Sequence, residues 1–214
     1  MEKITLHETL PEVFAQRTGV VSEIWHRHVE LERGKTYLIE ANSGTGKSSL
    51  CSFVYGYRHD YQGTISFDGQ DVRLLTLRQW VNVRQRHVAL LWQDLRLFPE
   101  LTAWENVQIK NKLTGCQKSS RIKQWLEQLG ISDKREELVA RMSFGQQQRV
   151  ALVRALCQPF EFILLDEPIS HLDESNSQLM ASILMEEARR QGAAVVVTSI
   201  GKRLNLAYDH VFKL

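Results

Sequence analysis

A glycine-rich stretch near residue 40 combines an apolar strand with a loop, a lysine and two hydroxyl side chains. Residues 38–49 read Leu-Ile-Glu-Ala-Asn-Ser-Gly-Thr-Gly-Lys-Ser-Ser. Glycine lets the backbone turn through positive φ and approach a ligand closely. A helix that begins near Gly46 would direct free N–H groups and its positive dipole end at the same point. The stretch therefore predicts a cradle for a polyphosphate.

The lysine and the first hydroxyl have defined roles in such a loop. Lys47 would reach the β- and γ-phosphates, and Ser48 would place its hydroxyl on Mg²⁺. The opening glycine of the pattern G-x-x-x-x-G-K-[ST] is Ala41 here, so an ordinary Gly/Ser turn is the alternative interpretation of this motif alone. Residues further along the chain favour the cradle.

Two acidic side chains, Asp166 and Glu167, follow the apolar run 162–165. Open α/β sheets bind ligands at the carboxyl edge of their strands, and two carboxylates at that edge require a cation. We expect Asp166 to hold Mg²⁺ opposite Ser48, and Glu167 to polarise the water that attacks the γ-phosphate. A structural Asp-Glu-Pro turn is the alternative, and it is weaker once the glycine-rich loop precedes it.

The elements that must position these residues alternate between strands and helices. Apolar runs and helical spacing predict helices over 47–54 and 174–191, and strands over 64–67, 87–92, 160–165, 194–198 and 210–214. This order predicts an α/β fold with a mostly parallel sheet. The first ~35 residues alternate polar and apolar positions, which predicts an antiparallel strand-and-turn segment.

Over about residues 95–145 the sequence pattern changes to one that predicts helices. Thr102 and Glu105 form a capping-box pattern, and four apolar residues recur at helical spacing: Ile122, Trp125, Leu126 and Leu129. We interpret this block as an inserted helical lobe. Trp104 and Trp125 are predicted to belong to its core.

Composition limits the possible classes of protein. A chain of 214 residues with 43% hydrophobic and 24% charged residues is ordinary for a globular domain. A net charge of +2 does not favour nucleic acid as a partner. The N-terminal residues lack an apolar signal segment, no apolar run is long enough to cross a bilayer, and three cysteines without a C-x-x-C pair suit a reducing compartment. We therefore expect a cytoplasmic protein.

A family resemblance comes from the segment 142–156, which reads Met-Ser-Phe-Gly-Gln-Gln-Gln-Arg-Val-Ala-Leu-Val-Arg-Ala-Leu. Four further segments appear in the same order as in that family: 91–93, 98–102, 105–107 and 170–173. Together they closely resemble the nucleotide-binding subunit of an ATP-binding cassette (ABC) transporter, over essentially the whole chain. The small ATPases of lipoprotein-release, macrolide-export and cell-division systems are the most similar group, and short haem-exporter ATPases are more distant.

The resemblance implies a set of nucleotide contacts. ATP phosphates would be bound by eight consecutive residues: Asn42, Ser43, Gly44, Thr45, Gly46, Lys47, Ser48 and Ser49. Phe14 lies at the distance before the loop where the family has an aromatic ring that stacks on adenine. Gln93 would be the Q-loop residue, which touches Mg²⁺ or the attacking water and links the helical lobe to the core.

The resemblance also implies a head-to-tail dimer. The signature residues Ser143, Gly145 and Gln146 open a helix and would face the γ-phosphate held by the other subunit. Asp173 would belong to the D-loop at that interface. The ATPase dimer, homomeric or heteromeric, would drive an integral-membrane permease whose cytoplasmic helix docks near residues 94–104.

Several positions depart from the family pattern. Phe144 stands at a signature glycine, and Ala41 stands at the first glycine of the loop. Ser199 stands where the family has its switch histidine, and His171 stands in the D-loop where a small residue is common. Because a serine cannot replace an imidazole as a charged donor, we expect ATP hydrolysis to be slow. The favoured interpretation of His171 is a solvated or interface histidine, and the alternative is a substitute for the missing histidine.

We therefore predict a P-loop NTPase fold of the RecA-like class, with an N-terminal antiparallel β lobe and a helical subdomain at about 95–145 inserted in a single ABC ATPase domain over 1–214. The expected protein binds ATP and Mg²⁺, is peripheral on the cytoplasmic face of the inner membrane, and is an ATP hydrolase. A catalytically weakened regulator or adaptor is the alternative, which Glu167 disfavours. A soluble ABC protein of DNA repair or translation is disfavoured because the chain has no long coiled-coil insertion and no second cassette.

Overall fold

A five-stranded parallel sheet lies at the centre of the computed structural model, which describes residues 1–17, 19 and 21–214. Its strand order is β6-β7-β8-β3-β9, where β3 is Thr36–Glu40, β6 is Val88–Leu91, β7 is Phe162–Asp166, β8 is Ala194–Ser199 and β9 is His210–Lys213. All four strand pairings are parallel. Strands β7 and β8 are buried along their whole length, as expected for apolar runs covered on both faces. The α/β class is confirmed.

A second sheet is antiparallel and has the order β2-β1-β4-β5. Its strands are β1 Lys3–Pro11, β2 His28–Glu32, β4 Tyr61–Phe67 and β5 Gln70–Asp71. Polar and apolar residues alternate on β1 and β2, so one face, including Ile4, Leu6 and Leu31, packs into the core. Gly63 has a φ of +78°, and a Cβ on it would lie 2.2 Å from the backbone oxygen of Glu8, so the close approach of β1 and β4 requires glycine.

Within the described residues the fold has six α-helices: α1 Lys47–Val54, α2 Leu77–Asn82, α3 Ala103–Thr114, α4 Ser119–Gln128, α5 Phe144–Leu156 and α6 Glu174–Gln191. The predicted bounds of α1 and α6 are confirmed. The sequence did not predict α2, which begins with its own capping box at Thr76. Short 3₁₀ turns occur at Glu12–Phe14, Val72–Leu74, Ser132–Lys134 and Val139–Arg141, and a π-helical turn occurs at Val83–His87.

Helices α3 and α4 lie in the chain between β6 and β7, where the sequence predicts a helical block. The capping box at Thr102 is present, and the four apolar residues at helical spacing are fully buried. Trp125 is fully buried, whereas Trp104 is partly buried against the same core. The division of this block into a subdomain of its own stays a prediction.

The strand bounds differ from the predicted ones by up to three residues, the largest difference being the start of β4 at Tyr61 rather than residue 64. His87 closes the π-helical turn rather than opening β6, and β7 begins at Phe162 because the backbone N–H of Phe160 is bound by the side chain of Gln191. Strand β7 continues through Asp166, which pairs with Thr198 of β8. Among the helices within 1–17, 19 and 21–214, none is both long and apolar enough to span a membrane.

Candidate nucleotide-binding site

The glycine-rich loop joins β3 to α1 at the carboxyl edge of the parallel sheet. Gly44 and Gly46 have φ angles of 77° and 102°, which are readily adopted only by glycine, and Gly46 is the residue before the first turn of α1. A Cβ on Gly46 would lie 3.0 Å from Trp25 Cζ2 and 3.1 Å from Phe14 Cε2. Two aromatic rings therefore pack against the loop at the residue where α1 begins.

Lys47 lies at the floor of the loop with only 4% of its side chain exposed. Its Nζ donates to the carbonyl oxygen of Asn42 at 2.9 Å and lies 3.7 Å from Oε1 of Glu167. Burial lowers the pKa of the Lys47 ammonium, and the nearby carboxylates of Glu167 and Asp166 oppose that shift. The site therefore holds a poorly solvated cation that a phosphate group can pair with.

The two acidic residues at the end of β7 are both hydrogen-bonded to one threonine, Asp166 through its carboxylate and Glu167 through its backbone. Asp166 is 1% exposed, and its Oδ1 accepts a hydrogen bond from Thr198 Oγ1 at 2.7 Å. The backbone N–H of Glu167 donates to the carbonyl oxygen of Thr198 at 3.2 Å. Glu167 has a φ of 51°, in the left-handed region that is uncommon for a residue other than glycine. Such strain is concentrated at functional sites, where surrounding contacts enforce it.

Gln93 follows β6 and reaches the same carboxylate. Its Nε2 donates to Glu167 Oε2 at 3.4 Å, while Oε1 of Glu167 lies near Lys47. The side chain of Glu167 thus lies between a cation and an amide donor. This arrangement orients the carboxylate at the wall of the cavity.

A cavity of about 360 Å³ opens between these groups. It is lined by most of the predicted nucleotide and catalytic residues, namely Phe14, Ser43, Gly44, Gly46, Lys47, Ser48, Ser49, Gln93 and Glu167, together with Val13, Arg17 and Ile200. Asn42 and Thr45 hold the loop instead: the carbonyl oxygen of Asn42 accepts from Thr45 Oγ1 at 2.9 Å, and that of Thr45 accepts from Trp25 Nε1 at 2.9 Å.

The predicted metal ligands meet in an adjoining cavity of about 280 Å³, where Ser48, Gln93 and Asp166 share the lining. A hydroxyl, a carboxamide and one carboxylate are hard oxygen donors, and Mg²⁺ commonly takes one or two carboxylates plus phosphate oxygens. No cluster of three or more His, Cys, Asp or Glu side chains suited to a metal occurs in the described part of the chain. The residues present therefore fit an ion that is held jointly by protein and phosphate.

Phe14 ends a 3₁₀ turn beside the cavity and is only 6% exposed. One edge of its ring lies against Gly46, and the guanidinium carbon of Arg17 lies 4.5 Å from the ring centroid. The sequence did not predict this cation–π contact or the support from Trp25. In the sequence, the three-residue spacing from Phe14 to Arg17 is only a weak indication of their contact. Nothing but its aromatic side chain indicates a role for Trp25.

Ser199, at the switch position, ends β8 and is 3% exposed. Its Oγ donates to the carbonyl oxygen of Lys202 at 2.5 Å, and the neighbouring Ile200 lines the cavity instead. The carbonyl oxygen of Ser199 accepts from the backbone N–H of Ala41 at 3.1 Å, which ties the start of the loop to β8. The Cβ of Ala41 does not prevent the loop from forming.

The signature and D-loop residues lie elsewhere. Ser143 precedes α5 and forms a capping box with Gln146, with hydrogen bonds of 3.3 and 2.9 Å. Asp173 precedes α6, where the backbone N–H of Asn176 donates to its carboxylate at 2.8 Å and lowers the pKa of that carboxyl. Neither these residues nor Gly145 lines the two cavities described above. A single chain therefore does not bring the signature to its own phosphate cradle.

Fold and site together define a P-loop ATPase cassette. The sequence profile of the ABC transporter family matches residues 26–170, and the chain belongs to this family. The resemblance seen in the sequence is confirmed, as is the expectation of an ATP hydrolase at the level of the family.

Relatives of known sequence and structure agree with this assignment. The chain is 32% identical to the uncharacterized ABC transporter ATP-binding protein YclH of Bacillus subtilis, over 85% of this chain and 81% of the relative. It is 31% identical to the lipoprotein-releasing system ATP-binding protein LolD of Shewanella frigidimarina, over 83% and 75%. The solved dimer of MJ0796, a bacterial ABC transporter cassette, shares the fold with a TM-score of 0.77 and 23% identity, over 92% of this chain and 87% of that one.

Proposed function

We propose that the chain is the ATP-binding subunit of an ABC transporter, which hydrolyses Mg-ATP in a head-to-tail dimer and drives an integral-membrane permease. The observation that carries this proposal is the convergence of Lys47, Glu167 and Gln93 on one cavity beside the glycine-rich loop. A cation, a strained carboxylate and an amide donor are the groups that phosphoryl transfer to water needs.

In this proposal the loop N–H groups and Lys47 bind the phosphates, with Ser43 and Ser49 at the rim. Ser48, Gln93 and Asp166 would hold Mg²⁺, which neutralises charge on the phosphate oxygens when bound. Glu167, fixed by its backbone bond to Thr198, orients the attacking water and accepts its proton. Phe14 would offer a ring for the adenine, and Arg17 already lies against that ring.

The dimer is inferred from the position of the signature. Because Ser143, Gly145, Gln146 and Asp173 lie away from the cavities of their own chain, a second subunit, identical or different, would supply them to each nucleotide. The solved relative is described as dimeric. The chain would act as one ATPase domain over 1–214 with a helical subdomain at about 95–145. Nucleic acid is not an expected partner.

A membrane partner is inferred from the family and from relatives such as LolD, whose name places it in a lipoprotein-releasing system. The subunit would then lie on the cytoplasmic face of the inner membrane. The permease helix would dock near residues 94–104, next to Gln93. Hydrolysis by the isolated subunit would be slow, because the hydroxyl of Ser199 donates to the carbonyl oxygen of Lys202 and Ser199 does not line the cavity.

The test is ATP binding by the Lys47→Ala variant. Removing the buried ammonium should abolish or strongly weaken Mg-ATP binding measured by calorimetry, because the phosphates lose their principal positive charge. Lys123→Ala, which removes an exposed lysine of α4, is the matched control and should bind like wild type. Equal affinity of Lys47→Ala and wild type would contradict the proposal. If wild type binds ATP tightly but does not hydrolyse it, even with its membrane partner, the alternative function of a catalytically weakened regulator or adaptor would be favoured.

A further inference from the structure

Two residues that depart from the family pattern, Phe144 and His171, contact each other. Their ring centroids are 4.5 Å apart and the ring planes meet at 66°, which is an edge-to-face arrangement. Phe144 is 40% exposed and His171 is also exposed, so the pair lies at the surface. Neither residue lines the nucleotide cavity, and the proposed mechanism gives neither of them a role.

The backbone brings the same two segments together. A Cβ on Gly145 would lie 3.2 Å from Leu172 Cδ2 and 3.5 Å from the carbonyl oxygen of His171. The first turn of α5 and the D-loop therefore pack with little space between them. The ring of Phe144 adds an aromatic contact to this backbone contact.

From His171 a line of polar contacts leads toward the catalytic carboxylate. His171 Nδ1 lies 2.9 Å from Ser170 Oγ, and Ser170 Oγ accepts from Gln148 Nε2 at 3.4 Å. Gln148 is 1% exposed, and its Nε2 also donates to the carbonyl oxygen of Pro168 at 3.3 Å. Pro168 directly follows Glu167, so the signature helix, the D-loop and the end of β7 are joined through Gln148 and the aromatic pair.

We propose that Phe144 and His171 are positioning residues that join the start of α5 and the D-loop into one pre-formed surface for the partner subunit. The inference rests on the proposed function, because both segments face the second ATPase subunit only in that dimer. The pair is already formed in the single chain, so the relative position of the two segments is fixed before association. Without the aromatic pair, part of the binding energy of the dimer would be used to order the two segments.

The energy of an aromatic pair sets the upper limit of the effect. Such a pair contributes about 0.5–1.5 kcal/mol beyond burial, and a symmetric dimer contains two of them. Because the pair is present in monomer and dimer alike, its loss weakens association only through the cost of ordering the two segments. At 1.36 kcal/mol per factor of ten, loss of both pairs therefore raises the dimer dissociation constant by up to about 150-fold. The ATP affinity of the monomer should not change, because the pair does not touch the cradle.

The experiment uses the full chain with Glu167→Gln, which binds ATP without turnover, and measures the ATP-dependent dimer dissociation constant by analytical ultracentrifugation. Phe144→Ala and His171→Ala should each weaken dimerisation within the stated range. The double variant should be no weaker than either single one, because both remove the same contact. Phe144→Tyr, which keeps the ring, should restore dimerisation. Leu179→Ala, at an exposed apolar residue of α6, is the matched control.

Three results would overturn the inference while leaving the dimer intact: unchanged dimerisation in both single variants, effects that multiply in the double variant, or a parallel loss of ATP affinity in dilute monomer. The last result would mean that the substitutions disturb the fold or the cradle. If the Glu167→Gln parent itself stays monomeric at saturating ATP, the proposed dimer fails and the inference fails with it. The parent measurement therefore separates the two failures.

Discussion

Lys47 and Glu167 show how the site keeps opposite charges close without bound ligand. Their charged atoms are 3.7 Å apart, and both side chains are largely buried, at 4% and 11% exposure. Removing one partner of such a pair leaves the other charge uncompensated, and the cost commonly reaches several kcal/mol. In the proposed function, a nucleotide that brings phosphate to Lys47 would change the partner of this cation and leave the carboxylate of Glu167 available to the attacking water.

The residues with local motifs were predictable from the sequence, and those with only tertiary roles were not. Lys47, Ser48, Asp166 and Glu167 lie in fixed order around strand ends, so their types and spacing predict their meeting at one sheet edge. The sequence did not predict the role of Thr198, which binds the carboxylate of Asp166 and the backbone N–H of Glu167. Its role depends on the register of β7 against β8, which the sequence of either strand alone does not reveal.

Ser199 provides a prediction at the residue scale. Its hydroxyl donates to Lys202 and does not face the cavity, so Ser199→Ala should leave kcat nearly unchanged. Ser199→His would place a larger donor next to Ile200, at the cavity wall, and should raise kcat by up to about 10²-fold because one positioned donor can contribute that much to the transition state. The ATP dissociation constant should stay the same.

Steady-state ATPase assays on wild type and both variants decide this prediction. A large loss of kcat in Ser199→Ala would show that the hydroxyl reaches the phosphate, directly or through water. If wild type turns over quickly and the histidine has no effect, His171→Ala tests whether the D-loop histidine has taken the switch role.

At the scale of elements, one cation, Arg154, holds the segment that follows β6. Arg154 of α5 donates to the carbonyl oxygens of Leu95 and Arg96, at 2.5 and 2.6 Å. Both of these residues have positive φ, 58° and 47°, so the contact holds a strained turn two residues after Gln93. Lys110 of α3 lies near Arg154 and Arg84, and its Nζ donates to the carbonyl oxygen of Arg84, in the π-helical turn before β6, at 3.5 Å.

The sequence indicates the elements but not this turn. The predicted helix α6 matches at both ends, because Asp173 and Gly192 are strong capping residues. Leu95 and Arg96 carry no turn signal of the Gly, Asn or Asp kind, so their left-handed conformation is imposed by Arg154 from a distant part of the chain. Sequence periodicity therefore gives the layers of the fold, and long-range hydrogen bonds determine the irregular segment beside the site.

Lys110 gives a pH-dependent prediction. Burial, followed by repulsion from Arg154 and Arg84, lowers its pKa to about 8. Because the unfolded state has the higher pKa, near 10.4, it binds more protons between the two values, and wild-type stability from this group rises with pH across that window. Below about pH 8 the cost of the buried charge is fully present. Lys110→Met should therefore stabilise the protein at pH 7, by at most about 3 kcal/mol.

Denaturant unfolding of wild type and Lys110→Met from pH 7 to pH 10 measures this effect. The advantage of the variant should shrink as pH rises through 8 toward 10. Lys112→Met, which replaces an exposed lysine on the same helix, is the matched control and should show no such trend. A pH-independent difference for Lys110→Met would indicate improved packing rather than removal of a buried charge.

At the scale of the whole molecule, the proposed dimer requires that one chain carry two halves of different sites. The cradle and the carboxylates line one pair of cavities, whereas the signature and the D-loop form a separate surface joined by Phe144 and His171. An isologous dimer places the same two patches in contact twice, so each nucleotide would have a cradle from one subunit and a signature from the other.

This arrangement predicts complementation between two inactive subunits. Lys47→Ala destroys the cradle of its own chain, and Ser143→Arg blocks the signature that its chain presents to the partner, so each homodimer should be inactive. In a mixed dimer one site combines both defects, while the other combines an intact cradle with an intact signature. Equal mixing makes about half of the dimers mixed, each with one intact site, so ATPase activity should recover to about a quarter of wild type if the sites act independently.

Steady-state assays of the mixture and of each parent measure the recovery, and differently tagged subunits purified together confirm that mixed dimers are present. Activity no higher than the mean of the parents, in a sample shown to contain mixed dimers, would contradict independent sites built from two chains.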